Sequence, residues 1–226
     1  MMTPSDIQSR VIFRDQLVLI LDKPPGIPVH AGPSGGENLE DYFEYLKFGY
    51  KETPKLAHRL DRDTSGCLVL GRNDRALKKL GRLFEQGLVK KKYLAVTQNR
   101  PAQDSGTIDL PLIKVKLQKG WSMQPAHRGQ EGAQEAVTDY TVLKTTDDGR
   151  TLIELSPRTG RTHQIRVHLQ SMNCPIIGDW LYGPDKTRPE TFERLLLHAL
   201  EIEIPLHENQ PALKVRATPA PEGPFS

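Results

Sequence analysis

Apolar and polar positions along this chain fall into short runs, and their spacing predicts strands interleaved with a few helices. Val11 to Phe13 and Leu17 to Leu21 are apolar runs split by Arg14, Asp15 and Gln16. The proline- and glycine-rich stretch from Lys23 to Pro28 follows, so the pattern reads as a strand pair leading into a surface loop. Leu39, Tyr42, Phe43 and Leu46 recur at helical spacing behind Asn38, and Asp41 completes an approximate capping box. A stronger helix spans Asn73 to Gln86: Asn73 caps it, Ala76, Leu77, Leu80, Leu83 and Phe84 form its apolar stripe, and Gly87 ends it.

Later segments continue the alternation. Lys91 to Thr97 has strand composition, with Tyr93, Ala95 and Thr97 on one face and Leu94 and Val96 on the other. Residues 101–107 and 120–135 read as loops, the second polar and mobile. Glu135 to Thr145 and Thr151 to Leu155 read as antiparallel strands joined through Asp147-Asp148-Gly149. Thr162 to Met172 reads as a helix with Ile165, Leu169 and Met172 inward, and Leu195 to Ile204 and Leu213 to Ala217 as late strands. Strands outnumber helices in hairpin-like order, which predicts an α+β class with a mixed, mostly antiparallel sheet and flanking helices. No repeat or linker divides residues 1–226, so a single domain is expected, with a disordered proline-rich tail at 218–226.

Composition narrows the function classes. The 226 residues suffice to bury a substantial core, and the longest apolar runs fall far short of the roughly 20 residues of a membrane span. Cys67 and Cys174 lack metal-type spacing, and no stretch reads as a signal peptide, so reduced thiols and a cytoplasmic location are expected. Net charge is only +3, yet residues 72–92 carry eight Lys or Arg against Asp74 and Glu85. Lys114, Lys116, Lys119 and Arg128 add a second basic segment without an acid between them. A basic face of this kind suits phosphate backbone contact, although each cluster taken alone reads first as a solvated surface.

Two stretches concentrate polar chemistry. In AHRLDRDTSGCLVLGR, residues 57–72, the charges of His58, Arg59, Asp61, Arg62 and Asp63 precede a Thr64-Ser65-Gly66 turn and an apolar run. A carboxylate held at a strand end among cations is suited to act as a nucleophile; a loop ion-pair network is the bland alternative. In TGRTHQIRVH, residues 159–168, arginines crowd a helix start and suggest an anion site. His163 and His168, five apart, sit about 140° apart around a helix, unlike the one-face pair of a zinc protease. Asp61 and Asp63 as a glycosidase pair would project the same way and not flank a bond. No nucleophile elbow, Walker loop or dinucleotide fingerprint is present.

Taken together these pieces resemble the RluA-type pseudouridine synthases, which isomerise uridine to pseudouridine within RNA. The resemblance rests on Asp22-Lys23-Pro24-Pro25-Gly26, H-R-L-D-R-D-T-S-G at 58–66, K-K-Y-L-A-V at 91–96, G-R-T-H-Q-I-R-V-H at 160–168, C-P-I-I-G-D-W-L-Y-G at 174–183 and L-L-L-H-A at 195–199, in order. It implies the pseudouridine synthase fold with a central active-site cleft. It implies Asp61 as the catalytic carboxylate, Arg59 as the residue that takes the place of a flipped uridine, Tyr93 as the base-stacking residue, and Arg166 as the cation paired with the carboxylate. Leu196 or Leu197 matches the apolar contact beneath the base.

The implied reaction breaks the N1–C1′ bond and rejoins the uracil through C5. It needs a carboxylate to attack C6 or C1′ or to take a sugar proton, and a base lifted out of its stack. Neither a cofactor nor a metal is implied. Only the catalytic domain is matched, without the small S4-like RNA-binding domain of many members, and the turn before the last strand departs from the family pattern at Pro205 to Gln210. RNA contact is therefore expected from Arg62, Arg75, Lys78, Lys79 and Arg82 with the 114–128 segment, on transfer or ribosomal RNA, by a monomer. Two other readings compete: an RNA-binding protein of the same fold without catalysis, expected to lack Asp61, Tyr93 or Arg166, and a carboxylate-dependent N-glycosidase, which would release free uracil.

Overall fold

The computed structural model describes residues 2–32, 35–118, 120–184, 194–219 and 223–225. In chain order the elements are α1 (Pro4–Ser9), β1 (Val11–Arg14), β2 (Val18–Lys23), a 3₁₀ helix (Leu39–Leu46), β3 (Lys55–Leu56), β4 (Ser65–Gly71), α2 (Asp74–Glu85), β5 (Lys90–Thr97), β6 (Ser105–Asp109), β7 (Leu112–Lys116), β8 (Trp121–Pro125), β9 (Val137–Thr145), β10 (Thr151–Pro157), α3 (Gln164–Ser171), β11 (Leu197–Ile204) and β12 (Leu213–Arg216). The expected α+β class with a mostly antiparallel sheet and few helices is what forms. No helix among the described residues is long and apolar enough to cross a membrane.

The chain forms two compact units, Met1–Lys90 with Ala199–Thr218, and Lys91–His198 with Pro219–Ser226. In the first, β2 pairs antiparallel with both β1 and β4, placing Lys23 opposite Gly66 and Leu19 opposite Leu70. Every residue of β4 is buried. Val18, Ile20, Cys67, Val69, Leu80, Ile202 and Ile204 form the core of this unit. Gly66 explains how β4 can lie so close to β11: its φ is +104°, and a Cβ there would meet the Ala199 carbonyl oxygen at 2.2 Å. The α2 helix forms as its sequence predicts. The Asn73 side chain accepts from the Ala76 N–H at 2.8 Å, Ala76 and Leu80 are buried, and Gly87 leaves the helix at φ +69°.

In the second unit β5 pairs with β10, β10 with β9 and β9 with β6, all antiparallel. The α3 helix is buried continuously from Gln164 to Leu169. Leu112, Met123, Ala136 and Val167 form a core against which Tyr182 packs.

Several boundaries differ from expectation. The residues Leu39–Leu46 coil as a 3₁₀ helix, although Asn38 and Asp41 build the expected capping box and the four apolar side chains are all buried. Part of the expected 101–107 loop is strand: β6 begins at Ser105, recruited by pairing with β9. The expected mobile loop at 120–135 contains β8, which pairs with β7 so that Trp121 faces Lys116 and Met123 faces Lys114. The 101–107 and 120–135 stretches lack a clean alternation, and only partners elsewhere in the chain order them. The α1 helix passes unnoticed in the sequence although Thr3 and Asp6 form a full capping box. Lys119, 220–222 and 226 lie outside the described residues; within the expected disordered tail, Phe225 is buried beside the His198 ring.

Candidate active site

The first unit carries Arg59 and Asp61 on the loop that enters β4. The Thr64 N–H donates to the Asp61 carbonyl at 3.2 Å, which makes Asp61-Arg62-Asp63-Thr64 a tight turn. Leu60 is buried and anchors the loop from below, while Arg59 is exposed and Asp61 half-buried. Upstream, His58 stacks on Phe84 with ring centroids 4.7 Å apart, and its Nε2 accepts from the Val69 N–H at 3.0 Å. That acceptor role requires Nε2 to be unprotonated.

A lysine beneath the turn locks it. Lys23, at the end of β2, is fully buried, and its Nζ donates to the Pro24 carbonyl at 2.7 Å and the Arg62 carbonyl at 2.8 Å. Burial pushes its ammonium down to about 7, while the nearby Asp63 and Asp61 carboxylates pull it back upward. Arg62 ties the same loops together: its Nε donates to the Gly26 carbonyl at 2.9 Å, and the Gly26 N–H returns a bond to the Arg62 carbonyl at 3.0 Å. Asp63 stands 3.9 Å from the Arg62 Nε and has one buried carboxylate oxygen without a hydrogen bond. The turn that presents Asp61 is thus pinned from two sides by cations whose hydrogen bonds go to backbone carbonyls.

Arg75, Lys78, Lys79 and Arg82 all lie on the exposed face of α2 in this unit. Among the described residues none of them has a carboxylate partner, so the face is positive and open. The two thiols are buried and unpaired with each other, and burial pushes Cys67 up to about 12 and raises Cys174 as well. Neither is suited to nucleophilic chemistry.

The second unit carries Tyr93, Arg166 and Leu197. Tyr93 is half-buried on β5 opposite Leu155 of β10, and Leu197 is buried at the start of β11. Arg166 lies on α3 at 6% exposure, and its Nε and one terminal nitrogen each reach an Asp179 oxygen at 2.8 Å. Asp179 Oδ1 also accepts from the Leu181 and Tyr182 N–H groups, both at 3.1 Å, so a turn holds the carboxylate that holds the arginine. The guanidinium carbon lies 5.0 Å from the Tyr182 ring centroid, within cation–π range.

The α3 entry is built by residues with fixed polarity. His163 is left-handed at φ +53°, which delays the helix to Gln164, two residues after the expected start. Gln164 Oε1 accepts from the Thr159 hydroxyl at 2.7 Å and the Arg161 N–H at 3.0 Å. Its Nε2 donates to the Val137 carbonyl and the Thr138 hydroxyl oxygen. His168 is fully buried, with Nε2 3.0 Å from the Leu110 carbonyl and Nδ1 2.9 Å from Thr138 Oγ1. A carbonyl only accepts, so Nε2 carries the proton and Nδ1 accepts from Thr138. Both ring nitrogens are spent within the fold.

Burial lowers the His168 imidazolium pKa below the ordinary histidine range. The unfolded chain then binds a proton near pH 6.5 that the folded chain refuses, so this contribution is present above that pH and is lost as pH falls below it. Urea unfolding of the wild type and of His168→Gln, followed from pH 7.5 downward, is expected to show the wild type losing stability with a slope steeper by up to one proton. Parallel slopes would place the charge change elsewhere.

Sequence reasoning missed Lys23, Gln164 and Asp179 as supporting residues. Each lies within a stretch that carries the resemblance, and an isolated lysine closing an apolar strand was the available signal for the first.

Comparison with known proteins bears on the same residues. The RNA pseudouridylate synthase family model matches residues 17–171, which takes in β2, the Asp61 turn, β5 and α3. An uncharacterized RNA pseudouridine synthase of Zymomonas mobilis is 42% identical over 207 residues, 91% of each chain. Ribosomal large subunit pseudouridine synthase C of Rickettsia bellii is 34% identical over 194 residues, 86% of this chain and 63% of that protein. The solved structure of human RNA pseudouridylate synthase domain containing 4 superposes with a TM-score of 0.78 at 30% identity, covering 95% of this chain and 90% of that one. With two thirds of its length inside the family match and a relative this similar over nine tenths of both chains, the chain belongs to the RluA-type RNA pseudouridine synthases, a family of isomerases.

Proposed function

We propose that this protein converts selected uridines of structured RNA to pseudouridine, with Asp61 as the catalytic carboxylate acting on a flipped-out base. The observation that carries the reading is the Asp61 turn itself: a half-buried carboxylate at the mouth of a fully buried strand, with its backbone pinned by Lys23 and Arg62. A group that reacts with one face of a base gains rate from being fixed before the base arrives. Arg59, exposed and two residues away, is placed to enter the gap left in the RNA stack. Tyr93 offers a ring for the extruded uracil to stack on, Leu197 an apolar contact beneath it, and Arg166 a cation oriented by Asp179.

The open cationic face of α2 supports contact with the RNA backbone through Arg75, Lys78, Lys79 and Arg82. Arg62 spends its Nε on Gly26 and contributes to RNA contact through its remaining exposed nitrogens. Ribosomal RNA is the favoured substrate class, because the Rickettsia bellii relative is named for the large ribosomal subunit; transfer RNA is the second. The reaction is expected to run in the cytoplasm on a monomer, without a cofactor.

The test is incubation of the purified protein with total RNA from cells lacking its gene, followed by pseudouridine mapping. New pseudouridine at a small number of positions without release of free uracil supports the reading. Free uracil would indicate N-glycoside cleavage, and RNA binding without modification would indicate a non-catalytic relative.

A further inference from the structure

The run Lys90-Lys91-Lys92 opens β5, and its three ammonium groups meet different fates. Lys90 pairs with Glu203 at 2.9 Å, and Lys92 pairs with Glu154 at 2.8 Å. Lys91 turns the other way, into the loop ahead of α3, where Nζ donates to the Thr159 carbonyl at 3.2 Å. No carboxylate lies within ion-pair distance of it among the described residues, and two of its three donors remain unspent. Its nearest charged influence is another cation, Arg161, and burial together with that arginine lowers the Lys91 pKa.

Arg161 is equally unneutralised. It is exposed, and its Nε donates to the Glu135 carbonyl at 3.0 Å, which leaves both terminal nitrogens available. Its neighbour Arg158, by contrast, is fully committed to Asp139 at 2.7 and 2.8 Å. Gly160 precedes Arg161 in the chain and lies beside Lys91. A Cβ there would stand 3.5 Å from Lys91 Nζ, so a residue without a side chain passes beside the ammonium. Two neighbouring cations held by backbone carbonyls, one half-buried and one exposed, with no acid between them, form a site whose electrostatic cost an anion relieves.

We propose that Lys91 and Arg161 bind a backbone phosphate of the RNA next to the target nucleotide. This rests on the RNA-modifying reading above. Strand geometry selects that phosphate: Lys91 and Tyr93 are two apart on β5 and lie on the same face, about 6.7 Å apart along the strand. A single nucleotide bridges such a span between its phosphate and its base, so a uracil stacked on Tyr93 brings its own or the adjacent phosphate over Lys91. The site therefore helps to set which nucleotide reaches Tyr93, through the backbone and without reading sequence.

The experiment measures affinity for a fluorescently labelled RNA stem-loop with a uridine-only loop, across potassium chloride from about 50 to 200 mM. Wild type is compared with Lys91→Gln, Lys91→Arg, Arg161→Gln and Lys92→Gln. Loss of one phosphate contact lowers the slope of log affinity against log salt by about 0.7 for a single-stranded segment. Lys91→Gln and Arg161→Gln are each expected to show a reduction of that order, and Lys91→Arg to retain the wild-type slope. Lys92→Gln, whose ammonium is already committed to Glu154, is expected to leave the slope unchanged. Arg161 is exposed, so its variant keeps the test valid should Lys91→Gln fold poorly. A wild type that binds with both glutamine variants keeping its slope would overturn this site alone; a wild type with no salt-dependent RNA binding would remove the RNA reading and this site with it.

Discussion

Asp61→Asn is expected to lower pseudouridine formation by about a thousandfold or more while leaving RNA affinity within a few-fold of wild type. The substitution keeps the shape of the side chain, and the turn that presents it is made by other groups: the Thr64 N–H, the Lys23 ammonium, the Arg62 guanidinium and buried Leu60. What disappears is the carboxylate charge. A thousandfold loss corresponds to about 4 kcal/mol of transition-state stabilisation. Single-turnover pseudouridine formation on a mapped substrate separates the chemical step from binding and release. Retention of full activity in the purified variant would remove Asp61 from the catalytic role.

The second large effect is expected on stability. Asp179→Asn takes a charged partner from Arg166, both residues being nearly inaccessible to solvent. Breaking a buried ion pair from one side costs about 3–5 kcal/mol, because the remaining charge loses the interaction that offset its desolvation. Urea unfolding measures the loss directly. Asparagine retains an acceptor for the Leu181 and Tyr182 N–H groups, so the turn itself should persist and the destabilisation should trace to Arg166. Substituting both partners, as Arg166→Met with Asp179→Leu, should be less destabilising than the single change while still impairing catalysis. A loss below about 1 kcal/mol for Asp179→Asn would show that other partners of Arg166 suffice to hold it.

Lys23 shows how the two kinds of effect meet in one residue. With its pKa lowered to about 7 by burial, it costs stability while charged and relieves that cost as pH rises above 7 toward the unfolded lysine value. The protein retains it because the ammonium bonds two carbonyls that no apolar side chain could satisfy, one of them in the turn that carries Asp61.

Much of this molecule was legible locally. Asn73 and Gly87 bound α2 as their cap and stop chemistry requires, and the apolar run Cys67 to Leu70 became the buried β4. The strands on either side of Asp147-Asp148-Gly149 paired as the turn residues predict. Local reading failed where order came from a partner far along the chain. The residues of β8 look like a polar loop until β7 pairs with them, and β6 is strand because β9 offers a ladder. The motifs named the candidate site residues but not their support, since Asp179, which holds Arg166, is thirteen residues away and the Lys23 partner in the turn is thirty-nine away.

By itself the sequence determined the helices with good caps, the core strands, the family, and the position of the proposed catalytic carboxylate at the head of β4. These depend on spacing, capping and motif order, which act over a few residues or recur as a pattern. Only the tertiary structure decided which charges are spent and which are open. Arg158, Arg161, Lys91 and Lys92 look alike in one dimension, yet two are neutralised by Asp139 and Glu154 while two bond backbone carbonyls with no acid beside them among the described residues. The reason is physical: a charge is defined by the groups within a few ångströms of it, and the fold chooses those groups from distant parts of the chain.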